Sequence, residues 1–316
     1  MNSVYIHIPF CSSICSYCDF CKQLYNEENL NKYLEALKNE ISDRYHDEEL
    51  ETLYIGGGTP SCLNNTQLNR LFDIVKLLNL SNIKEFTFEC NVNDITEDLI
   101  KLLVKNKVNR LSIGVESFDK DKLKFMERTS KYDDVKEKIN MIRNLGINNI
   151  NIDLMYAIPG ETLKILKKDL NLILKLKPEH ISTYSLILED YTKLSINNTK
   201  PIDEELELVM YEYIRKKLRS KKYNHYEISN FGLNGKESIH NLKYWNNEEY
   251  YGFGLGAHGY IDGIRYENTK NFNKYIENNF VNKQEFVGKR EKMENEVMLG
   301  LRKINGINLE QYYNKY

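Results

Sequence analysis

The chain lacks an apolar run approaching the ~20 residues that a membrane-spanning helix needs. It also lacks a charge excess. Its 44 Lys and Arg against 46 Asp and Glu leave a net charge of −2, so there is no bulk electrostatic case for binding nucleic acid. The first residues run directly into an apolar strand, Val4–Ile8, so no signal or transit peptide is expected, and the expected location is the cytoplasm. Cysteine is absent after Cys90, and five of the six cysteines fall in the first 62 residues. That clustering suits a cytosolic metal site and not the disulfide framework of a secreted mini-domain. A length of 316 residues allows one large domain, or one with an appendage.

What is present begins with Cys11, Cys15 and Cys18, spaced C-x3-C-x2-C directly after the first strand. Thiolates are the ligands that iron–sulfur clusters select, and three of them leave one iron of a four-iron cluster open for a small molecule. Cys21 makes a closed zinc site arithmetically possible, but no second C-x2-C pair accompanies it. Cys21, Cys62 and Cys90 are expected as small packing residues, with all three near one cavity.

Short β-rich runs alternate with stretches of helical period. The expected strands are 4–8, 52–55, 85–89, 110–115, 149–154 and 181–186. Apolar spacing predicts helices over 29–45, 67–78, 96–104, 132–145 and 162–176. Six successive βα units argue for an α/β fold, a partial (β/α)6 TIM-like barrel whose functional groups gather after the strands' C-terminal ends. After the second strand comes Gly56-Gly57-Gly58-Thr59, where glycine lets the backbone approach a ligand closely. No Lys-Ser/Thr follows, so it is not a Walker loop. Glu89 and Asp153 end strands and suit hydroxyl acceptance, with a salt bridge as the plainer alternative (for Asp153, to Arg128). Periodicity fades near residue 200. We expect 1–200 as a core and 201–316 as a smaller α+β extension, with 204–222 helical and 280–316 charged and helical. Between 226 and 259 lie the single tryptophan, many tyrosines, His240, His258 and several glycines. Such a stretch suits a flat conjugated ligand, although composition alone favours a packed aromatic core.

Tyr5-Ile-His7-Ile-Pro9-Phe10-Cys11 through Cys18, Asp19 and Phe20 resembles the cluster loop of radical S-adenosylmethionine (SAM) enzymes. More narrowly, it is similar to the family that holds the oxygen-independent coproporphyrinogen III oxidases and the HemW-type heme chaperones. The resemblance implies a 4Fe–4S cluster on Cys11, Cys15 and Cys18 and SAM on its open iron. It places the methionine amino group on Gly57, Gly58 and Thr59, with further cofactor contacts from Tyr5, Tyr17, Glu89, Glu116, Arg128 and Asp153. Glu116 stands where the family usually carries Gln, and Ala157 where it carries Gly. His240-Asn241-x-x-Tyr244-Trp245 matches the signature of the chaperone side and implies heme handling by His240, with His258 as a second candidate.

Two functions follow from the resemblance. One is a heme chaperone that passes heme to apo-hemoproteins, including respiratory ones at the inner face of the membrane. The other is coproporphyrinogen III dehydrogenase, which decarboxylates two propionates by radical abstraction; in both, the reduced cluster would cleave SAM. The chaperone is favoured by three features: the first strand starts at about residue 3, where the oxidases have an extension; Phe20 and Cys21 depart from their C-x-C; and the His240 signature is present. The C-terminal module reads shorter than the family's. A metal-stabilised binding module without radical chemistry is the third reading.

Overall fold

The computed structural model describes residues 2–316. In chain order it begins with β1 (Ser3–Ile8), β2 (Phe10–Cys11), β3 (Gln23–Leu24), α1 (Glu27–Arg44), β4 (Thr52–Gly57), α2 (Asn65–Val75), β5 (Glu85–Asn91) and α3 (Glu97–Lys105). Next come β6 (Arg110–Glu116), α4 (Lys120–Met126), α5 (Tyr132–Asn144), β7 (Ile150–Tyr156), α6 (Leu163–Leu176), β8 (His180–Ser185), α7 (Lys193–Ile196) and α8 (Glu204–Arg219). The remainder is β9 (Asn224–His225), β10 (Asn230–Gly232), α9 (Ile239–Trp245), β11 (Tyr251–Phe253), β12 (His258–Ile261), β13 (Ile264–Asn268), α10 (Phe272–Ile276), β14 (Val281–Phe286), α11 (Lys289–Gly300) and α12 (Leu309–Lys315). Helix follows strands β4, β5, β6, β7 and β8, and follows β1 by way of β2 and β3, the repeat of a partial (β/α)6 TIM-like barrel.

The chain forms two compact units. One holds the segment ending at Ser12, Cys21–Phe88 and Ser238–Tyr316; the other holds Ser13–Phe20 and Glu89–Glu237. In the first, β11, β1 and β4 run parallel, as do β4 and β5, while β12, β13 and β14 form an antiparallel meander. In the second, β6, β7 and β8 are parallel, and β10 and β9 extend them antiparallel.

Local chemistry explains the elements. Asn26 caps α1 by accepting from Asn29 N, Glu27 and Glu28 occupy its positive end, and Leu30, Leu34, Leu37 and Ile41 form its buried stripe. Asn64 and Gln67 complete a capping box on α2. On one face the strands bury aliphatic and aromatic side chains such as Ile6, Ile55 and Phe88. The alternating positions on the other face are polar, for example Ser112, Asn151 and Ser182. Each fully buried aliphatic contributes about 1.5–3 kcal/mol.

Two expectations are corrected. Residues 281–286 are strand and not helix: Val-Asn-Lys-Gln-Glu-Phe is exposed along its whole length and is held by backbone pairing to β13, which no side-chain period reveals. Cys90 does not share Glu89's cavity, because neighbouring residues of β5 point to opposite faces; Cys90 is buried, and that burial pushes its thiol pKa up.

Candidate cofactor site

In the first unit β1 delivers Tyr5, His7 and, through β2, Cys11. Parallel pairing sets His7 beside Gly56 and Ile8 beside Gly57. The glycine loop is then stitched to the start of the cysteine loop: Gly58 N donates to Ile8 O at 2.8 Å, and Thr59 N donates to Phe10 O at 2.7 Å. A Cβ on Gly58 would lie 2.8 Å from Phe10 O and 3.0 Å from Cys11 Sγ, so only glycine lets this backbone reach the cysteine. The structure thus brings Gly58 to Cys11, Thr59 to the backbone just before it, and Gly57 to His7. The cysteine loop is closed at its ends, where Gln23 N donates to Pro9 O and Tyr25 N to Cys11 O.

His7 has a role that the motif alone did not reveal. Its Nε2 lies 2.7 Å from Cys21 O, and a carbonyl only accepts, so Nε2 carries the proton. Nδ1 then accepts from Tyr5 OH at 2.9 Å. Burial, with the charge of His258 adding to it, holds the ring's pKa down at about 4 despite the opposing bond to Cys21 O, so the ring stays neutral. Cys62 Sγ donates to Phe10 O at 3.5 Å, and Cys21 packs where a Cβ on Gly256 would lie 2.7 Å from its own Cβ.

In the second unit the remaining cysteines sit on a turn, with Cys18 N donating to Cys15 O. Ser16 anchors that turn by donating to Phe125 O at 2.8 Å, and Tyr17 packs against the buried cluster of Met126, Met155 and Ile158. Arg128 Nη1 reaches Cys15 Sγ at 3.3 Å, while Nη2 donates to Gly114 O. It therefore does not form the ion pair with Asp153 that stood as the alternative; the partner of Asp153 is Asn151, whose Nδ2 donates to Oδ1 at 2.7 Å. Burial, then the charges of Glu116 and Glu89, push Asp153 up to about 8. Asn151 also donates to Ser112 Oγ and accepts from His180 and Ser182, a buried polar layer beneath Asp153. Behind the loops after β6 and β7 lies a buried group that sequence reasoning missed. Lys122 Nζ bonds Met155 O at 2.9 Å, Glu161 Oε1 at 2.6 Å and Asp169 Oδ2 at 3.1 Å. A lysine on an amphipathic helix gives no signal of burial.

His240 lies elsewhere. Glu85, the first residue of β5, accepts from Ser238 Oγ at 3.1 Å, Ile239 N at 2.9 Å and His240 N at 3.1 Å, fixing the start of α9. The buried His240 ring places Nδ1 2.8 Å from Thr52 Oγ1, at the start of β4, and Nε2 2.8 Å from Tyr244 OH. The motif is thus at the N-terminal ends of the strands, not the C-terminal ends where we expected the notable motifs. The nearby glycines are packing positions: a Cβ on Gly254 would lie 2.4 Å from His7 O, and one on Gly252 1.8 Å from His258 O. His258 is exposed at the start of β12.

A family model for the radical SAM superfamily matches residues 5–173. The heme chaperone HemW of Lactococcus lactis is 44% identical over 323 residues, covering 100% of this chain and 85% of that protein. That of Bacillus subtilis is 40% identical, covering 100% and 87%. The chain belongs to the HemW family of radical SAM proteins. A solved structure titled as coproporphyrinogen III oxidase (HemN) from Escherichia coli, a radical SAM enzyme, superposes with a TM-score of 0.88 at 21% identity, over 99% of this chain and 78% of that one; it shows the shared fold. The family implies a 4Fe–4S cluster and SAM. Among the described residues no three His, Cys, Asp or Glu side chains stand within reach of one metal ion as placed. The donor chemistry nevertheless fits, since three thiols outside any disulfide supply soft ligands for three irons. No helix among the described residues is long and apolar enough to cross a membrane.

Proposed function

We propose that this protein is a heme chaperone that holds a 4Fe–4S cluster on Cys11, Cys15 and Cys18 and SAM against Gly57, Gly58 and Thr59, and carries heme at His240 for transfer to apo-hemoproteins. The bound cluster would supply one-electron chemistry at SAM. Gly58 sets the approach of backbone to Cys11, and Tyr5, Tyr17, Glu89, Glu116, Arg128 and Asp153 would surround the cofactor. On this reading residues 1–200 are the cofactor core and 201–316 the heme region, and recipients include respiratory proteins at the membrane surface.

The observation that carries the reading is the separation of two stations along β4. His240 bonds Thr52, the first residue of β4, and Gly57 of the glycine loop is its last. At about 3.3 Å per residue that is roughly 16 Å. A porphyrin attacked by a radical must touch the SAM site, whereas a porphyrin carried at α9 need not. Both nitrogens of His240 are engaged, so iron ligation displaces a partner; Tyr244, half-buried and on the same helix, is the one able to turn away without unfolding β4.

The test is anaerobic incubation of cluster-reconstituted protein with reductant, SAM and coproporphyrinogen III, read by mass spectrometry, beside heme titration by Soret absorbance. Loss of two carboxyl groups would establish the dehydrogenase. No porphyrin product, with a Soret band that weakens in His240→Ala, is the expected result.

A further inference from the structure

Arg128 and Glu116 converge on one backbone position. A Cβ on Gly114 would lie 2.9 Å from Arg128 Nη2 and 3.3 Å from Glu116 Oε1, so both side chains lie across that glycine. The register of β6 against β7 shifts between Gly114 and Glu116, and Glu116 takes a left-handed φ of 65°. Such a bulge re-aims a side chain. From this position the guanidinium reaches onward to Cys15 Sγ at 3.3 Å, and its Nε is buried without a hydrogen-bond partner. A permanent cation and a neighbouring carboxylate therefore stand behind one thiol of the cysteine loop.

We propose that the Arg128–Glu116 pair sets the reduction potential of a cluster bound through Cys15, Arg128 raising it and Glu116 lowering it. The inference rests on the cluster reading above. Hydrogen bonds and positive charge at a cluster thiolate favour the more negative, reduced state, and a carboxylate nearby opposes them. With Glu116 in place this cluster is a stronger reductant than it would be with a neutral amide at the same position.

The experiment is a potentiometric titration, followed by EPR, of the anaerobically reconstituted full chain without SAM, so that loss of a SAM contact has no bearing. Arg128→Gln should shift the midpoint to more negative potential, Glu116→Gln to more positive, and Arg128→Lys less than Arg128→Gln. Opposite signs are the signature, since mere loosening would move both variants alike. Iron and sulfide content report assembly separately. Wild-type protein that assembles no four-iron cluster overturns the cluster reading, and this inference with it. A cluster whose midpoint is unchanged in both variants, or shifted the same way in both, overturns the inference alone. If Arg128→Gln assembles no cluster, Glu116→Gln decides: a positive shift supports the inference and no shift overturns it.

Discussion

A Cβ on Gly57 would lie 2.6 Å from Nδ1 of His7, and Gly57 itself sits at a φ of 114°. The imidazole of β1 therefore lies directly beneath the glycine loop of β4. It is locked there by Cys21 O on one side and Tyr5 OH on the other. Gly57→Ala should lose about 2 kcal/mol or more, combining backbone strain with the clash, and should weaken SAM binding at least tenfold. Urea denaturation and equilibrium binding of SAM to reconstituted protein check this. Gly146→Ala, at a φ of 109° with nothing within 4 Å, supplies the strain without the clash and should lose less.

Lys122 is nearly sealed from solvent between Glu161 and Asp169. Lys122→Met leaves two carboxylates buried without their cation, so a loss of about 3–5 kcal/mol is expected. The denaturant midpoint should fall with little change in slope. A loss below 1 kcal/mol would mean that these carboxylates are solvated.

Ala157 stands at a φ of 58°, in the left-handed region that an L side chain adopts only at a cost. Ala157→Gly should raise stability by about 0.5–1 kcal/mol, because relief of that strain exceeds the extra freedom glycine gains on unfolding. A lower midpoint for the glycine variant would show that the turn has another cause.

Asp153 carries a pH signature. Its folded pKa of about 8 lies above the ordinary 3.8. The stability it contributes is fully present below the unfolded value and is lost as pH rises through about 8, because unfolding then releases a proton. Between pH 5 and 8 the wild type should weaken relative to Asp153→Asn, and Glu116→Gln should reduce that slope. Chemical denaturation at three pH values measures both.

Glu85 accepts three donors at the start of α9. Glu85→Ala leaves them unsatisfied, at a cost of about 3 kcal/mol, and should weaken heme binding along with His240→Ala. Unchanged heme affinity in both variants would place the heme elsewhere.

Much of the barrel was legible because its strands and helices carry strong periods: Val4–Ile8, the Leu30–Ile41 stripe and their successors announce themselves locally. The C-terminal strands were not, since β11 is three residues long and β14 is exposed throughout. Such strands exist only because a neighbour offers its backbone, and no side-chain pattern records that offer.

The amino-acid sequence by itself determined the βα repeat, the cysteine spacing and the family, because each is a property of residues close along the chain. Only the tertiary structure decided that Gly58 abuts Cys11, that Arg128 turns from Asp153 to Cys15, that Lys122 is buried, and that His240 stands at the opposite end of β4 from the glycine loop. Those are pairings between residues far apart in sequence. They are chosen by which strand lies beside which, and by which buried polar group can find a partner there.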